Sequence, residues 1–179
     1  MESSFLHPTQ ALEAAHLTPG MMVADLGAGS GFFTRAAARI VAPGEVWAVD
    51  LSGELLARIK NLSLAEGLSN VEVMRGDIED IHGSNLPANY FDYVLVTNVL
   101  FACEDRYAVA REVERIMKPT GRALVVDWKG SFDGMGPHAD HIFAAGAARD
   151  VFEQAGLVYL EDIPAGAYHW GFIVRKNIN

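Results

Sequence analysis

Short apolar runs of strand length alternate with helix-length segments along most of this chain. Turn residues bound each run, and the segment that follows is long enough to return as a helix. This alternation is typical of βαβ units around a mainly parallel sheet. We therefore predict a doubly wound α/β fold with helices on both faces of the sheet. The predicted strands are residues 21–26, 45–50, 71–75, 93–97, 122–127, 157–160 and 169–174.

The length of 179 residues is sufficient for one α/β domain and too short for a second, separate domain beside it. We expect a single domain over residues 1–179, preceded at its N-terminal end by a helix over residues 9–16. A turn at Lys118-Pro119-Thr120-Gly121 is expected to lead into the fifth strand.

Composition narrows the classes of partner. The formal charge of -9 disfavours nucleic acid, which is bound through basic clusters, and favours a small-molecule substrate. The only cysteine, Cys103, leaves no disulfide framework and no CxxC zinc site, so we expect no metal. Residues 1–8 lack the basic and apolar regions of a secretion signal, and no apolar stretch reaches the length of a membrane span. A cytoplasmic protein is expected, whereas its oligomeric state is not indicated.

A glycine-rich turn joins the first strand to the first long helix. Gly27, Gly29 and Gly31 lie between the strand and a helix that begins near Phe32. Glycines permit positive φ and close backbone approach, and a helix N-terminus presents free N–H groups to an anion. The segment predicts a carboxylate or phosphate site, the alternative being a tight connection without a ligand.

Asp25 indicates which kind of ligand the glycine-rich turn would bind. It lies two positions before the first glycine, where its negative charge would repel a pyrophosphate, whereas a zwitterionic sulfonium ligand fits. The spacing is Gly-x-Gly-x-Gly and not the Gly-x-Gly-x-x-Gly of dinucleotide enzymes, and no Tyr-x-x-x-Lys pair is present. A nicotinamide-dependent oxidoreductase is therefore the less favoured alternative.

Polar residues follow the next three strands. Asp50 ends the second strand at the position of an acid that binds ribose hydroxyls. Asp77 ends the third and can accept from an adenine amino group beside Ile78, and Asn98 follows the fourth. A helix cap, a turn aspartate and a strand terminator are the respective alternatives. The predicted cofactor-binding residues are Asp25, Gly27, Ala28, Gly29, Gly31, Asp50, Leu51, Asp77, Ile78 and Asn98.

Four segments together, residues 25–31, 48–50, 76–78 and 115–122, resemble the ordered motifs of class I S-adenosylmethionine-dependent methyltransferases. The nearest resemblance is to the small methyltransferase type 11 or UbiE-like proteins. It implies a Rossmann-like seven-stranded sheet with an antiparallel last strand, and S-adenosyl-L-methionine as cofactor with S-adenosyl-L-homocysteine as product. It also implies that Asp25 and the glycines contact the methionine part, Asp50 the ribose, and Asp77 with Ile78 the adenine.

By this resemblance residues 19–100 form the cofactor-binding half and residues 101–179 the substrate-side half. A single cysteine argues against arsenite methylation, which needs several thiols. Thr97-Asn98-Val99-Leu100-Phe101 differs from the Asn/Asp-Pro-Pro-aromatic motif of enzymes that methylate adenine or glutamine amides. We predict in-line methyl transfer to a small-molecule acceptor; the alternative is a silent cofactor-binding or partner subunit.

In-line displacement mainly requires a positioned nucleophile and a dry site, so a dedicated base is not essential. If a base is used, His138 and His141 are the candidates, in a loop over residues 130–141 where a substrate lid could lie. The alternative is that these histidines only begin a helix. The candidate substrate residues are Phe101, Lys129, Met135 and Tyr168, with Asp127 and Trp170 near the same opening.

Overall fold

The computed structural model describes residues 5–132 and 134–177. Its helices are α1 (Pro8–Ala14), α2 (Phe32–Val41), α3 (Gly53–Ala65), α4 (Arg106–Ile116) and α5 (Ala145–Gln154). Its strands are β1 (Val23–Leu26), β2 (Val46–Asp50), β3 (Val71–Arg75), β4 (Phe91–Thr97), β5 (Met117–Trp128), β6 (Leu157–Asp162) and β7 (His169–Lys176). Two short 3₁₀ helices cover Leu100–Ala102 and Ala139–His141.

The seven strands form one sheet in the order β3-β2-β1-β4-β5-β7-β6. The strands from β3 to β5 are parallel, and β7 runs antiparallel to both β5 and β6. The predicted Rossmann-like sheet with its antiparallel last strand is thereby confirmed. The direction of chain progression reverses between β1 and β4, and ligands of open α/β sheets bind at the carboxyl ends of the strands at such a point.

Helices cover both faces of the sheet. Side chains alternate along β4, so that Tyr93 and Leu95 belong to one apolar cluster and Val94 and Val96 to the other. The first cluster includes buried residues of α1, α2 and α3, and the second those of α4 and α5. A strand buried on both faces explains the continuous apolar run that predicted β4 as a central strand.

Side-chain caps fix where two helices begin. The Ser52 hydroxyl accepts from the Leu55 N–H at 3.3 Å, and the Asp105 carboxylate accepts from the Ala108 N–H at 2.9 Å. Each bond satisfies one of the free N–H groups of a helix start.

The turn expected at residues 118–121 is not present as a separate element, because β5 already begins at Met117. Phe91 pairs with Met117 and Tyr93 with Arg122, so the intervening residues of β5 bulge against β4. The Lys118 ammonium stabilises this irregular stretch by pairing with Asp92 at 2.8 Å.

The N-terminal helix is shorter and earlier than the predicted 9–16. It covers Pro8–Ala14, since His16 adopts a left-handed φ of 60° and the Leu17 N–H turns back to the Leu12 carbonyl. The first strand likewise begins at Val23 and not at Met21.

Two predictions include residues that lie outside the described part of the chain. The predicted domain of 1–179 includes residues 1–4, 133, 178 and 179, and the segment expected to lack a secretion signal includes residues 1–4. No helix within residues 5–132 and 134–177 has the length and apolar character that crossing a membrane requires.

Candidate functional site

The glycine loop between β1 and α2 adopts backbone conformations that favour glycine. Gly27, Gly29 and Gly31 have φ values of 72°, 52° and 73°. A Cβ atom at Gly27 would lie 2.5 Å from Val99 Cγ2, and one at Gly31 would lie 2.7 Å from Ile59 Cγ1. Close packing therefore adds to the backbone requirement at two of the three glycines.

Asp25 lies beneath this loop with 1% of its surface exposed. Its Oδ2 accepts a hydrogen bond from the Thr34 hydroxyl at 2.6 Å, and the Thr34 N–H also donates to the carboxylate. Burial raises the pKa of Asp25 to about 6 against these bonds, and the charge of Asp50 adds to the rise. Its Oδ1 is buried without a hydrogen-bond partner among the described residues. Asp25 thus holds the first turn of α2 and keeps one free acceptor.

Asp50 connects the end of β2 to the glycine loop. Its Oδ2 accepts from the Gly29 N–H and its Oδ1 from the Ser52 N–H, both at 2.9 Å. Each carboxylate oxygen has a second lone pair, so Asp50 can accept two further bonds while it orients the loop. The neighbouring Leu51 side chain is exposed.

Asp77 and Ile78 follow β3, next to the end of β2. The Gly76 N–H donates to the Asp50 carbonyl, which places the two strand ends side by side. The exposed Asp77 carboxylate accepts from the Glu79 N–H at 2.9 Å, whereas Ile78 is buried in the core. Only Asp77 of this pair is presented at the surface.

A cavity of about 490 Å³ opens beside the glycine loop. None of the described residues that line it is an acid, a lysine or an arginine, and several are aromatic. The lining consists of Phe5, Leu6, Pro8, Gly27, Ala28, Gly29, Ser30, Phe32, Phe33, Thr97, Asn98, Trp128 and His169. The cavity therefore brings together the predicted glycine loop, the end of β4 and aromatic side chains from distant parts of the chain.

Asn98 lies in this lining, immediately after β4. Its φ of 54° is in the left-handed region, which asparagine tolerates better than most residues, and its N–H donates to the Val126 carbonyl. Its Oδ1 is buried and has no hydrogen-bond partner in the described part of the chain. This places a second free acceptor, besides that of Asp25, near the reversal of strand order.

Trp128 and His169 form the wall contributed by β5 and β7. They pair across the antiparallel strands, with ring centroids 4.1 Å apart and a tilt of 41°. His169 is 3% exposed, and burial, helped by the charge of Lys129, lowers its pKa to about 4. Neither ring nitrogen has a partner among the described residues. The imidazole is thus a neutral, unsatisfied group in a mainly apolar wall.

Asp127 lies next to this wall but faces the other side of the sheet. Its carboxylate accepts from the Trp128 N–H at 2.7 Å and from the Phe101 N–H at 3.2 Å. It is 1% exposed, and burial raises its pKa to about 6. These bonds fix the 3₁₀ helix that follows Asn98.

The remaining candidate substrate residues lie outside the first cavity. Lys129 lines a second cavity of about 690 Å³, which shares Phe5 and His169 with the first. Phe101, Met135 and Tyr168 are not among the residues that line either cavity. The Tyr168 ring instead packs on Phe5.

His138 and His141 also lie outside both linings. His138 is exposed, its Nδ1 is 3.1 Å from the Asp140 carboxylate, and it accepts from the Asp140 N–H at the start of a 3₁₀ helix. This placement matches the alternative of a helix start, and a catalytic role for either histidine stays a prediction. The loop of residues 130–141, the possible lid, includes residue 133, which lies outside the described residues.

Comparison with known sequences gives one family and a set of relatives. Residues 24–125 match the family described as "Methyltransferase domain". The "Ubiquinone/menaquinone biosynthesis C-methyltransferase UbiE" of Burkholderia vietnamiensis is 33% identical over 115 residues, which cover 64% of this chain and 46% of that protein. The chain spans about half the length of the curated relatives that it matches.

Solved structures share the fold over nearly the whole chain. A SAM-dependent methyltransferase from Aquifex aeolicus has a TM-score of 0.86 at 25% identity, covering 96% of this chain and 90% of that one. The [4+2]-cyclase SpnF has a TM-score of 0.79 at 19% identity, covering 96% and 81%. The likeness to the cyclase concerns the fold alone.

Proposed function

The chain belongs to the class I S-adenosylmethionine-dependent methyltransferases of the UbiE-like type, and on this premise we propose that it transfers a methyl group to a small-molecule acceptor in the first cavity. S-adenosyl-L-methionine is the cofactor of this family, and S-adenosyl-L-homocysteine is the product. The observation that carries the proposal is the cavity itself, in which the glycine loop and the free Asn98 Oδ1 meet an aromatic wall.

The residues present fit this cofactor. Gly27–Ser30 and Asn98 would hold its methionine part, because they line the cavity and because Asn98 has an unsatisfied acceptor for an ammonium. Asp50, already oriented by the Gly29 N–H, would take the ribose hydroxyls beside Leu51. Asp77 would take the adenine amino group, with Ile78 behind it.

When bound, the cofactor supplies a sulfonium-activated methyl group for in-line displacement. The chain has to orient the acceptor and exclude water, which are the main requirements of such a transfer. Phe5 and Phe32 border the cavity with largely exposed rings, and Phe33 and Trp128 extend the apolar wall inward. These side chains would exclude water from the cavity, and such a transfer does not need a catalytic base.

A second candidate is a protein that binds the cofactor without methyl transfer. One fold supports unrelated functions, so this fold is compatible with cofactor binding alone. It predicts cofactor binding without formation of S-adenosylhomocysteine from S-adenosylmethionine on any acceptor.

We also infer a small-molecule partner and not nucleic acid, because the net charge is -9 and the described lining of the first cavity contains no lysine or arginine. We also infer a cytoplasmic location, with which the buried and free Cys103 is compatible.

The test is calorimetric binding of S-adenosylmethionine, S-adenosylhomocysteine and NAD to the wild type and to Asp50→Ala and Asp77→Ala. Asp150→Ala, which removes an exposed acid of α5, is the matched control. We expect micromolar binding of both adenosyl ligands, weakened at least about tenfold in the two site variants and unchanged in the control, since each lost charged hydrogen bond contributes about 1.5–3 kcal/mol. Absence of binding, or a preference for NAD, would refute the proposal. Adenosylhomocysteine release with a panel of small acceptors then separates the two candidates.

A further inference from the structure

His169 is a buried polar residue of the first cavity to which the proposed cofactor contacts assign no role. The residues proposed for the methionine, ribose and adenine parts lie in the glycine loop and at the ends of β2, β3 and β4. His169 comes from β7 and reaches the cavity beside Trp128 of β5. His169 therefore lines a part of the cavity to which no cofactor contact is assigned.

Its ring nitrogens require hydrogen-bond partners that the described residues do not supply. His169 is 3% exposed, and both Nδ1 and Nε2 are buried without a partner. A neutral imidazole has one N–H donor and one bare nitrogen acceptor, and an unsatisfied buried group favours a ligand that completes its bonds. Because burial and Lys129 lower its pKa to about 4, the ring stays neutral at physiological pH.

The surroundings of His169 restrict the rest of the ligand. Its ring lies 4.1 Å from Trp128, and the other walls of the first cavity include Phe5, Phe32 and Phe33. No acid, lysine or arginine is found in the described lining of the first cavity, whereas Lys129, Arg149 and Asp162 line the second cavity, so an uncharged ligand fits the first cavity best. Flat, uncharged molecules pack best against such aromatic surfaces.

We propose that His169 is the specificity-determining residue for the methyl acceptor, and that it hydrogen-bonds the hydroxyl group of a planar, uncharged molecule packed against Trp128. This inference rests on the proposed function and specifies its substrate class. The bare nitrogen of the imidazole accepts from the acceptor's O–H, which orients that oxygen in the cavity. The corresponding methyl ether has no O–H to donate, so it should bind more weakly than the hydroxyl compound.

The test uses 4-propylphenol and its methyl ether as probes, with the protein saturated by S-adenosylhomocysteine. Calorimetry compares the wild type with His169→Phe, which keeps an aromatic ring and removes both nitrogens. Gln10→Ala is the control, because Gln10 lines only the second of the two cavities that His169 touches. We expect the wild type and Gln10→Ala to bind the phenol at least about tenfold tighter than the ether, and His169→Phe to bind both equally with unchanged affinity for S-adenosylhomocysteine.

A second measurement does not depend on the folding of a variant. The ¹⁵N chemical shifts of the His169 ring in the wild type should move on addition of the phenol and not of the ether, since a hydrogen bond to the bare nitrogen changes its shielding. A phenol preference that survives in His169→Phe, unchanged His169 shifts, or no phenol binding by the wild type would each overturn the inference. Failure of S-adenosylhomocysteine to bind would instead refute the proposed function, so the two failures are distinguishable.

Discussion

Gly31→Ala should destabilise the protein more than Gly67→Ala, although both glycines have a positive φ. Gly31 immediately precedes α2 with a φ of 73°, a conformation that costs an L-residue about 1–2 kcal/mol. Alanine also lowers the conformational entropy of the unfolded chain, which stabilises the folded state by about 0.4–1 kcal/mol. The backbone effect alone is therefore on the order of 1 kcal/mol.

Packing adds the larger part of the effect. The new Cβ would lie 2.7 Å from Ile59 Cγ1 and 3.3 Å from both Cδ1 and Cγ2, well inside the optimal carbon separation of about 3.5–4.0 Å. Ile59 is fully buried, so it cannot swing into solvent, and overpacking of a core costs about 1–3 kcal/mol. We expect Gly31→Ala to reduce the free energy of unfolding by about 2–4 kcal/mol in total.

Gly67→Ala is the matched control. Gly67 has a φ of 76°, and a Cβ there would meet no atom within 4 Å, so only the backbone effect of about 1 kcal/mol remains. Equilibrium unfolding in urea measures both variants against the wild type, provided that the m-values agree. Equal destabilisation of the two variants would refute the packing argument.

A double-mutant cycle isolates the contact with Ile59. Ile59→Ala alone should cost about 2–5 kcal/mol, because it empties a core position. In the Gly31→Ala background it should cost about 1–3 kcal/mol less, since the truncated side chain no longer overlaps the new methyl group. Strict additivity would show that the overlap relaxes by another route. Gly31→Ala should also weaken S-adenosylmethionine binding, whereas Gly67→Ala should not.

Two buried carboxylates predict opposite dependences of stability on pH. Burial raises the pKa of Glu112, but hydrogen bonds from Arg115 and Ser84 outweigh burial and hold this pKa below its usual value of 4.5. The stability that the ionised carboxylate contributes is therefore present above pH 4.5 and is lost on acidification. In urea unfolding, Glu112→Gln should lower the free energy of unfolding by about 3 kcal/mol at pH 7 and by less at pH 3. Burial raises the pKa of Asp127 from 3.8 to about 6, so the folded protein takes up this proton at a higher pH than the unfolded chain does. Relative to Asp127→Asn, the stability of the wild type should therefore rise by about 2 kcal/mol between pH 7 and pH 4, and a difference that does not change with pH would contradict the raised pKa.

The fold was predictable because its signals are local. A glycine or a capping side chain precedes each of the helices that follow β1, β2 and β4, and the side chains of β4 are apolar toward both faces. The start of β5 was not predictable, since Pro119 and Gly121 are typical of a turn whereas here they lie in a bulged strand. The bulge depends on pairing with β4, which no local pattern records.

The cofactor side of the candidate site was predictable from the sequence, whereas the side formed by the antiparallel strand was not. Asp50 and the glycine loop meet because parallel strands place their carboxyl ends at one edge, so sequence order alone suggested the cofactor side. His169 was missed because it begins an antiparallel strand, whose amino end lies at that same edge. A polar residue at the start of the last strand was the available signal. His138 was chosen for its position after β5, yet its side chain is exposed.

The site is organised by two buried acids that flank the end of β4. Asp25 on β1 holds the first turn of α2, and Asp127 on β5 holds the 3₁₀ helix after Asn98. Both carboxylates have raised pKa values, so at neutral pH each keeps a charge that burial disfavours. A purely structural cap would serve equally well at the surface without this cost. The cost is understandable if rigid loops on both sides of Asn98 are needed before any ligand arrives, because a loop ordered only on binding would lower affinity by its ordering entropy.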